Sequence, residues 1–206
     1  METLVEEKQE VKNENKTTAV LTGRKTMLFP FSVNDLPLFL KLHREDKKGY
    51  LGQFCLKYMN ALEALNYVNA LFQLNKIHVW TVYTKEVKSR IVGFVYVSDL
   101  EKFKCSISGV MDGEFARGLG REIRRDKYTY TEDAFRTLIS HIFTCTMIRI
   151  EANVQETNRL SLALCKKVGF VTEGCRRKAM ELDGQFLNVI YMSILKEEYP
   201  HASKPA

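Results

Sequence analysis

The segment that most constrains the fold runs from Arg149 to Phe170. It begins with an alternating apolar run, which predicts a strand, and its apolar positions then recur at helical spacing as far as Gly169, where glycine predicts a helix end. Asn158 and Ser161 lie between the two patterns, where short polar side chains commonly start a helix. The sequence therefore predicts a strand, a polar turn, a helix, a glycine stop and a further strand.

The chain upstream of this segment has alternating strand and helix patterns. Predicted strands cover 26–31, 77–83, 91–97 and 103–111, and predicted helices cover 33–44, 59–74 and 131–143. Thr129, with Glu132 three residues later, fits a capping box for the last helix. The pattern of the segment 112–127 is compatible with either of two structures, a hairpin that extends the sheet or an inserted loop. A mostly antiparallel meander followed by strand, helix and strand predicts an α+β fold whose central strands are parallel.

Length and composition favour a single globular domain. The chain has 206 residues, 45% of them apolar, which suffices for a core without disulfides or metal. We expect a domain over 17–199, between a flexible tail at 1–16 and another at 200–206. No apolar run approaches the roughly 20 residues of a membrane helix, so we expect a cytoplasmic protein with no membrane partner.

The cysteines and the net charge carry less information. The five cysteines are odd in number and scattered, so we expect mostly buried, reduced thiols and no metal site. The net charge of +6 suits an anionic partner, and nucleic acid is a partner that we consider but do not favour.

Two motifs resemble a known family. The pattern N-x-x-S-x-x-L-x-x-K-x-G-F, which begins at Asn158, resembles the C-terminal half of the GNAT superfamily of acyl-CoA-dependent N-acetyltransferases. The closing segment 174–195 resembles the branch that contains ribosomal-protein N-terminal acetyltransferases. Asp183 and Gly184 suit its tight turn, and Asn188 lies where that branch commonly has an aspartate.

The resemblance implies both a fold and a reaction. The implied fold is a central mixed, mostly antiparallel sheet flanked by helices. The implied reaction is direct attack of a primary amine on acetyl-CoA, a co-substrate, and the acceptor is a small molecule, a lysine or a protein N-terminus. Neither a metal nor a covalent cofactor is implied.

In this family a glycine-containing turn before a helix binds the pyrophosphate of CoA through backbone N–H groups. Aligning the family helix on Asp133 and Ala134 places Arg124 at the Gln/Arg position of the turn, and Lys127 and Thr129 where the family has glycines. An alternative alignment uses residues 117–120, and we prefer the first. The resemblance then implies cofactor contacts from a basic turn and from the polar turn downstream: Arg124, Lys127, Tyr128, Thr129, Tyr130, Thr131, Asn158 and Ser161.

The catalytic groups are less well determined. Many family members have a tyrosine as general acid four residues before the last Gly-Phe pair, and here that position is Cys165. Family bases are usually carboxylates near the fourth strand, so the implied candidates are Glu114 and Glu122, with Asp112 and Glu151 as further ones. Each of these residues has an ordinary structural alternative, as core filler or as surface polar group.

Two other functions stay open. The missing glycines and the missing tyrosine are compatible with a GNAT fold that has lost catalysis and acts as a binding or structural module. The basic run 117–127 and the sequence pI of about 9.0 are compatible with a nucleic-acid-associated protein, whose affinity would fall steeply with salt.

Overall fold

The computed structural model describes residues 19–45, 59–74, 76–113 and 129–199. Within these residues the strands are β1 (Leu21–Thr22), β2 (Thr26–Pro30), β3 (Ile77–Thr84), β4 (Ile91–Ser98), β5 (Lys104–Met111), β6 (Arg149–Gln155), β7 (Val171–Leu182) and β8 (Gln185–Leu195). The helices are α1 (Leu36–Arg44), α2 (Ala61–Gln73), α3 (Tyr130–Thr144) and α4 (Arg159–Val168), and short 3₁₀ turns cover Val33–Asp35 and Lys196–Glu198.

The strands form a single sheet in the order β1-β2-β3-β4-β5-β6-β8-β7. Every neighbouring pair is antiparallel except β5 and β6, which are parallel. A parallel pair requires a crossover, and α3 supplies it. The predicted α+β fold with a mixed, mostly antiparallel sheet is confirmed. The two-residue strand β1 is too short to leave a sequence pattern and was not predicted.

Helices cover both faces of the sheet. The side chains of Ala134, Leu138 and Ile142 on α3, with Val168 on α4, pack on one face, which we call the α3/α4 face. Helices α1 and α2 pack over strands β3 to β5 on the opposite face, the α1/α2 face. Strands β6, β8 and β7 have no described helix on the α1/α2 face. Polar and charged side chains can therefore lie on that face of these strands.

The ends of the helices follow local chemistry. Ser32 caps the first 3₁₀ turn in a capping box with Asp35. Only half of the predicted box at α3 forms: Thr129 Oγ1 accepts from Glu132 N at 3.1 Å, but the Glu132 carboxylate pairs with Arg136 and Lys167 instead. The prediction of a full box is therefore wrong, because two cations compete for that carboxylate.

Glycine conformation ends α4 and closes the last hairpin. Gly169 adopts the left-handed conformation with φ 110°, which stops α4 as predicted. Asp183 and Gly184 both have positive φ, 49° and 78°, which suits a two-residue hairpin turn. The expectation that most cysteines are buried is only half right for those described, since Cys145 and Cys175 are exposed.

Candidate active site

A gap opens in the sheet where the two parallel strands diverge. Strands β5 and β6 pair at only three positions, the last of them Ser106 with Glu151. Strand β5 nevertheless continues to Met111 and β6 to Gln155. The strands therefore separate towards their carboxyl ends, and ligands of open sheets containing parallel strands commonly bind at such an edge.

Backbone groups face into this gap. Asp112 N donates to Val92 O at 2.9 Å, so even-numbered residues of β5 point their N–H groups towards β4. Because backbone direction alternates along a strand, Gly109 directs its N–H and C=O groups the other way, into the gap. Glu156 N donates to Asn188 O at 3.0 Å, so by the same alternation Asn153 faces the gap from β6. An extended ligand bearing amides would satisfy these groups.

Helix α3 lies close to the gap because Gly109 has no side chain. A Cβ at this position would lie 3.1 Å from Phe135 Cζ and 2.9 Å from Phe94 O, tighter than ordinary packing. Phe135 therefore packs directly on the backbone of β5. Glycine at position 109 fixes how closely the first turns of α3 approach the diverging strands.

Two helices begin at this edge of the sheet. Helix α3 starts after the capping Thr129, and α4 starts after Asn158, whose Oδ1 accepts from Ser161 N at 3.1 Å. Tyr130 Oη donates to Glu86 in the turn between β3 and β4, which lies at the same edge as the end of β5. Both helix dipoles therefore direct positive potential towards the edge at which the gap opens.

Asp133 fastens the first turn of α3 to the amino-terminal hairpin. Its carboxylate is 1% exposed and accepts hydrogen bonds from the backbone N–H groups of Arg24, Lys25 and Thr26 at 3.0, 2.9 and 2.8 Å. Thr26 Oγ1 donates a further bond at 2.6 Å. This contact fixes the position of the α3 N-terminus relative to the amino-terminal hairpin.

The structure brings some of the predicted cofactor-binding residues to one edge. Thr129, Tyr130 and Thr131 lie at the start of α3, and Asn158 and Ser161 at the start of α4. The other predicted cofactor-binding residues, Arg124, Lys127 and Tyr128, lie outside the described residues, as do the predicted catalytic residues Glu114 and Glu122. The segment 112–127, for which the sequence left a hairpin and an inserted loop as alternatives, also lies largely outside the described residues.

Cys165 lies on the inner face of α4, within the core of the α3/α4 face. It is 7% exposed, and burial raises the pKa of its thiol to about 11. The thiol is therefore protonated at neutral pH, but the raised pKa also makes it a weaker acid than an ordinary thiol. Its catalytic role stays a prediction.

Glu151 is engaged in a polar network on the α1/α2 face. It accepts from Arg149 Nε and from Tyr191 Oη, both at 2.7 Å. Burial would raise the pKa of Glu151, but these two bonds and the nearby Lys104 outweigh it and hold the pKa below its usual range. A carboxylate stabilised in this way is a weak base, which argues against Glu151 as the general base.

The same network crosses three strands. Arg149 also binds Glu173 on β7, with Nη1 to Oε1 at 2.8 Å and Nη2 to Oε2 at 2.6 Å, and Ser193 donates to Glu173 at 2.6 Å. A depression of about 420 Å³ lies beside it, lined by Glu173, Gly174, Cys175, Arg176 and Tyr191. Sequence reasoning missed this network, although charged residues at alternate positions of β6 signal a polar face.

Other residue types have structural roles. Trp80 is 3% exposed and packs against His141 of α3 with ring centroids 6.2 Å apart, so it belongs to the core. Among the described residues, no group of three or more His, Cys, Asp or Glu side chains is arranged to hold a metal ion. The described part of the chain also contains no helix with the length and apolar character needed to span a membrane.

Comparison with known proteins identifies the family. The sequence profile of the acetyltransferase (GNAT) domain matches residues 25–171. The chain belongs to the GNAT family. No curated protein sequence matches this chain significantly.

Solved GNAT structures share the fold. RimL, a ribosomal L7/L12 alpha-N-protein acetyltransferase in complex with coenzyme A, has 15% identity and a TM-score of 0.69, covering 86% of this chain and 98% of that one. RimJ of Mycobacterium smegmatis, in complex with CoA-disulfide, has 18% identity and a TM-score of 0.69, covering 89% and 90%. Spermidine N-acetyltransferase of Vibrio cholerae, with CoA and spermine, has 17% identity and a TM-score of 0.64, covering 85% and 98%.

Proposed function

We propose that this GNAT protein transfers an acetyl group from acetyl-CoA to a primary amine. The observation that supports the proposal is the gap between β5 and β6, into which the backbone groups of Gly109 and Asn153 point, with two helix N-termini at its open end. The pantetheine arm of CoA is a flexible chain with two amides, and its donors and acceptors match backbone groups that point into the gap. Its phosphates match the positive ends of the helices.

The chemistry of the transfer is an acyl substitution. Acetyl-CoA supplies an activated thioester, the acceptor nitrogen forms a bond to its carbonyl carbon, and the C–S bond breaks. The acceptor must lose a proton, and we propose Glu114 or Glu122 as its base because the environment of Glu151 lowers the pKa of that carboxyl. The departing thiolate must gain a proton, for which Cys165 is the proposed donor.

A second candidate is a GNAT protein that binds without catalysis. Lys127 and Thr129 lie where the family has glycines, and Thr129 is committed to capping α3. A side chain there narrows the approach to the backbone that glycine permits. Arg124, Lys127 and the N-terminus of α3 would then have to bind the phosphates by charge.

An acceptor panel tests the proposed reaction. Purified protein is incubated with acetyl-CoA and, separately, with a peptide bearing a free N-terminus, a peptide with an internal lysine and blocked ends, and spermidine. Free CoA thiol and the mass of each acceptor are measured. The proposal expects acceptor-dependent thiol release with a matching acetyl mass increase for at least one amine. Release that does not exceed the acceptor-free rate for any of them would support the binding module.

A further inference from the structure

Strand β7 contains a wide bulge near the open end of the gap. Between the pairs Arg176–Val189 and Met180–Leu187, three residues of β7 lie opposite the single residue Asn188 of β8. At the middle of the bulge, Lys178 has a positive φ of 49°, an uncommon conformation for a residue other than glycine. Such a backbone persists only where its surroundings hold it, so the bulge is a specified feature of the hairpin.

Asn188 holds the bulge and joins it to the wall of the gap. Its Oδ1 accepts from Lys178 N at 2.9 Å, and its Nδ2 donates to Glu156 Oε2 at 3.0 Å. Glu156 directly follows β6 and precedes the turn into α4. The position of the bulge is therefore fixed relative to the proposed acetyl-CoA site.

The bulge carries concentrated positive charge. Arg176, Arg177 and Lys178 are consecutive and exposed, and none forms an ion pair with a described residue. A single charged residue is a common device for protecting an edge strand from pairing with another sheet. Three cations held on a fixed bulge exceed that need and concentrate positive charge on one part of the edge strand, which suits an anionic partner.

We propose that this basic bulge binds an acidic stretch of a polypeptide acceptor, close behind its reacting amine. The inference rests on the proposed function and narrows its acceptor to a protein or peptide. Strand β7 lies two strand spacings from β6, about 10 Å, and an extended chain advances about 3.3 Å per residue. An acceptor whose amine reaches the gap therefore places roughly its third to fifth residues beside the bulge.

The positive charge of the bulge also favours an acidic peptide over a polyamine or a nucleic acid as the partner. A polyamine would be repelled by the three cations and has no group that matches them. A nucleic acid would need a longer cationic track, whereas Glu173 and Glu181 lie on the same strand on either side of the bulge. A short acidic peptide segment matches the size and sign of the surface.

Direct peptide binding tests the proposal independently of turnover. The probe is a peptide with a free amino terminus, Asp and Glu at its third to fifth residues, and a fluorophore on a C-terminal lysine. Its comparison is the same peptide with Asn and Gln in those places. Affinities are measured by fluorescence anisotropy, with CoA present, for the wild type, for Arg177→Glu/Lys178→Glu, and for Lys102→Glu. Lys102 is an exposed cation in the turn between β4 and β5, at the end of the strands opposite to the open end of the gap.

We expect the acidic peptide to bind the wild type about five- to tenfold more tightly than its amide counterpart at low salt. Arg177→Glu/Lys178→Glu should abolish this preference and Lys102→Glu should keep it. Equal affinity for the two peptides, an equal loss with Lys102→Glu, or absence of binding to both peptides overturns the proposal. Tighter binding of an RNA 20-mer that the double variant loses also overturns it. Because anisotropy does not depend on acetyl transfer, failure here is distinct from failure in the acceptor panel.

Discussion

Asn188 and Glu156 are joined by two hydrogen bonds, one through a side chain and one through the backbone. Asn188 Nδ2 donates to Glu156 Oε2 at 3.0 Å, and Glu156 N donates to Asn188 O at 3.0 Å. The arrangement uses both atoms of the Asn188 amide, because its oxygen also accepts from Lys178 N at 2.9 Å. An aspartate would still accept from Lys178 N, but it would place a second carboxylate against Glu156.

We therefore predict that Asn188→Asp destabilises the protein by about 1 kcal/mol at neutral pH, through a lost donor and a new like-charge contact. Asn188→Asp/Glu156→Gln should regain most of that loss, because the glutamine amide can donate to the new carboxylate. Urea unfolding of the four combinations gives the coupling energy. Additive effects of the two substitutions would show that the contact does not hold the hairpin.

The close approach of α3 to the amino-terminal hairpin gives a second prediction. An added Cβ at Gly23 would overlap Asp133 Oδ2 and Thr137 Oγ1, and Asp133 is held by four hydrogen bonds. Gly23→Ala should therefore lower the free energy of unfolding by about 2–4 kcal/mol.

Gly174→Ala is the matched control, because an added Cβ there meets nothing within 4 Å. Equal stability of the two variants in urea unfolding would contradict the proposed contact between α3 and the hairpin.

Asn158 caps α4, and an experiment must separate this structural role from its proposed contact with the cofactor. Asn158→Ala removes the acceptor of the Ser161 N–H group and should cost about 1 kcal/mol of stability. Asn158→Asp keeps an acceptor oxygen and should retain most of the stability, but it lacks the amide donor and adds a charge.

If the side chain contacts the pantetheine arm, both variants should lose turnover by about tenfold or more. Melting temperature and acetyl transfer are measured on the same preparations. Full turnover in Asn158→Asp would restrict Asn158 to the helix cap.

Acid sensitivity should report on the Arg149 network. The hydrogen bond from Arg149, helped by Ser193, lowers the pKa of Glu173 from 4.5 to about 2. A carboxyl whose pKa is depressed on folding contributes stability above its unfolded pKa and loses that contribution as the pH falls through its folded pKa. The wild type should therefore lose more stability than Glu173→Gln between about pH 4.5 and pH 2.

The free energy of unfolding by urea, measured across this pH range, checks the prediction. Because Glu173 is 38% exposed, water and salt weaken the pair, and the difference should shrink in 1 M NaCl. Parallel pH curves for the two proteins would exclude a contribution from Glu173.

The sequence predicted the framework of the fold well. The strand, turn and helix around Asn158, the glycine stop at Gly169 and the hairpin turn at Asp183 all form as expected. These features are local, since each depends on side chains within a few residues of one another. The buried face of α3 could also be predicted from the sequence, because its apolar residues recur at helical spacing.

The features that sequence reasoning missed depend on contacts between distant parts of the chain. Asp133 binds a turn more than a hundred residues earlier, and Arg149 reaches Glu173 across an intervening strand. The competition of Arg136 and Lys167 for Glu132 likewise follows from packing of α3 against α4. No periodicity in the sequence encodes such pairings, so the site electrostatics became visible only in the structure.

Calorimetric titration with acetyl-CoA tests the central claim most directly. We expect saturable binding of one acetyl-CoA per chain with a micromolar Kd, about −8 kcal/mol, and similar binding of CoA, because the gap and the two helix N-termini are present without the glycine turn. Absence of heat at millimolar ligand would contradict it and would leave a GNAT fold that serves as a binding or structural module.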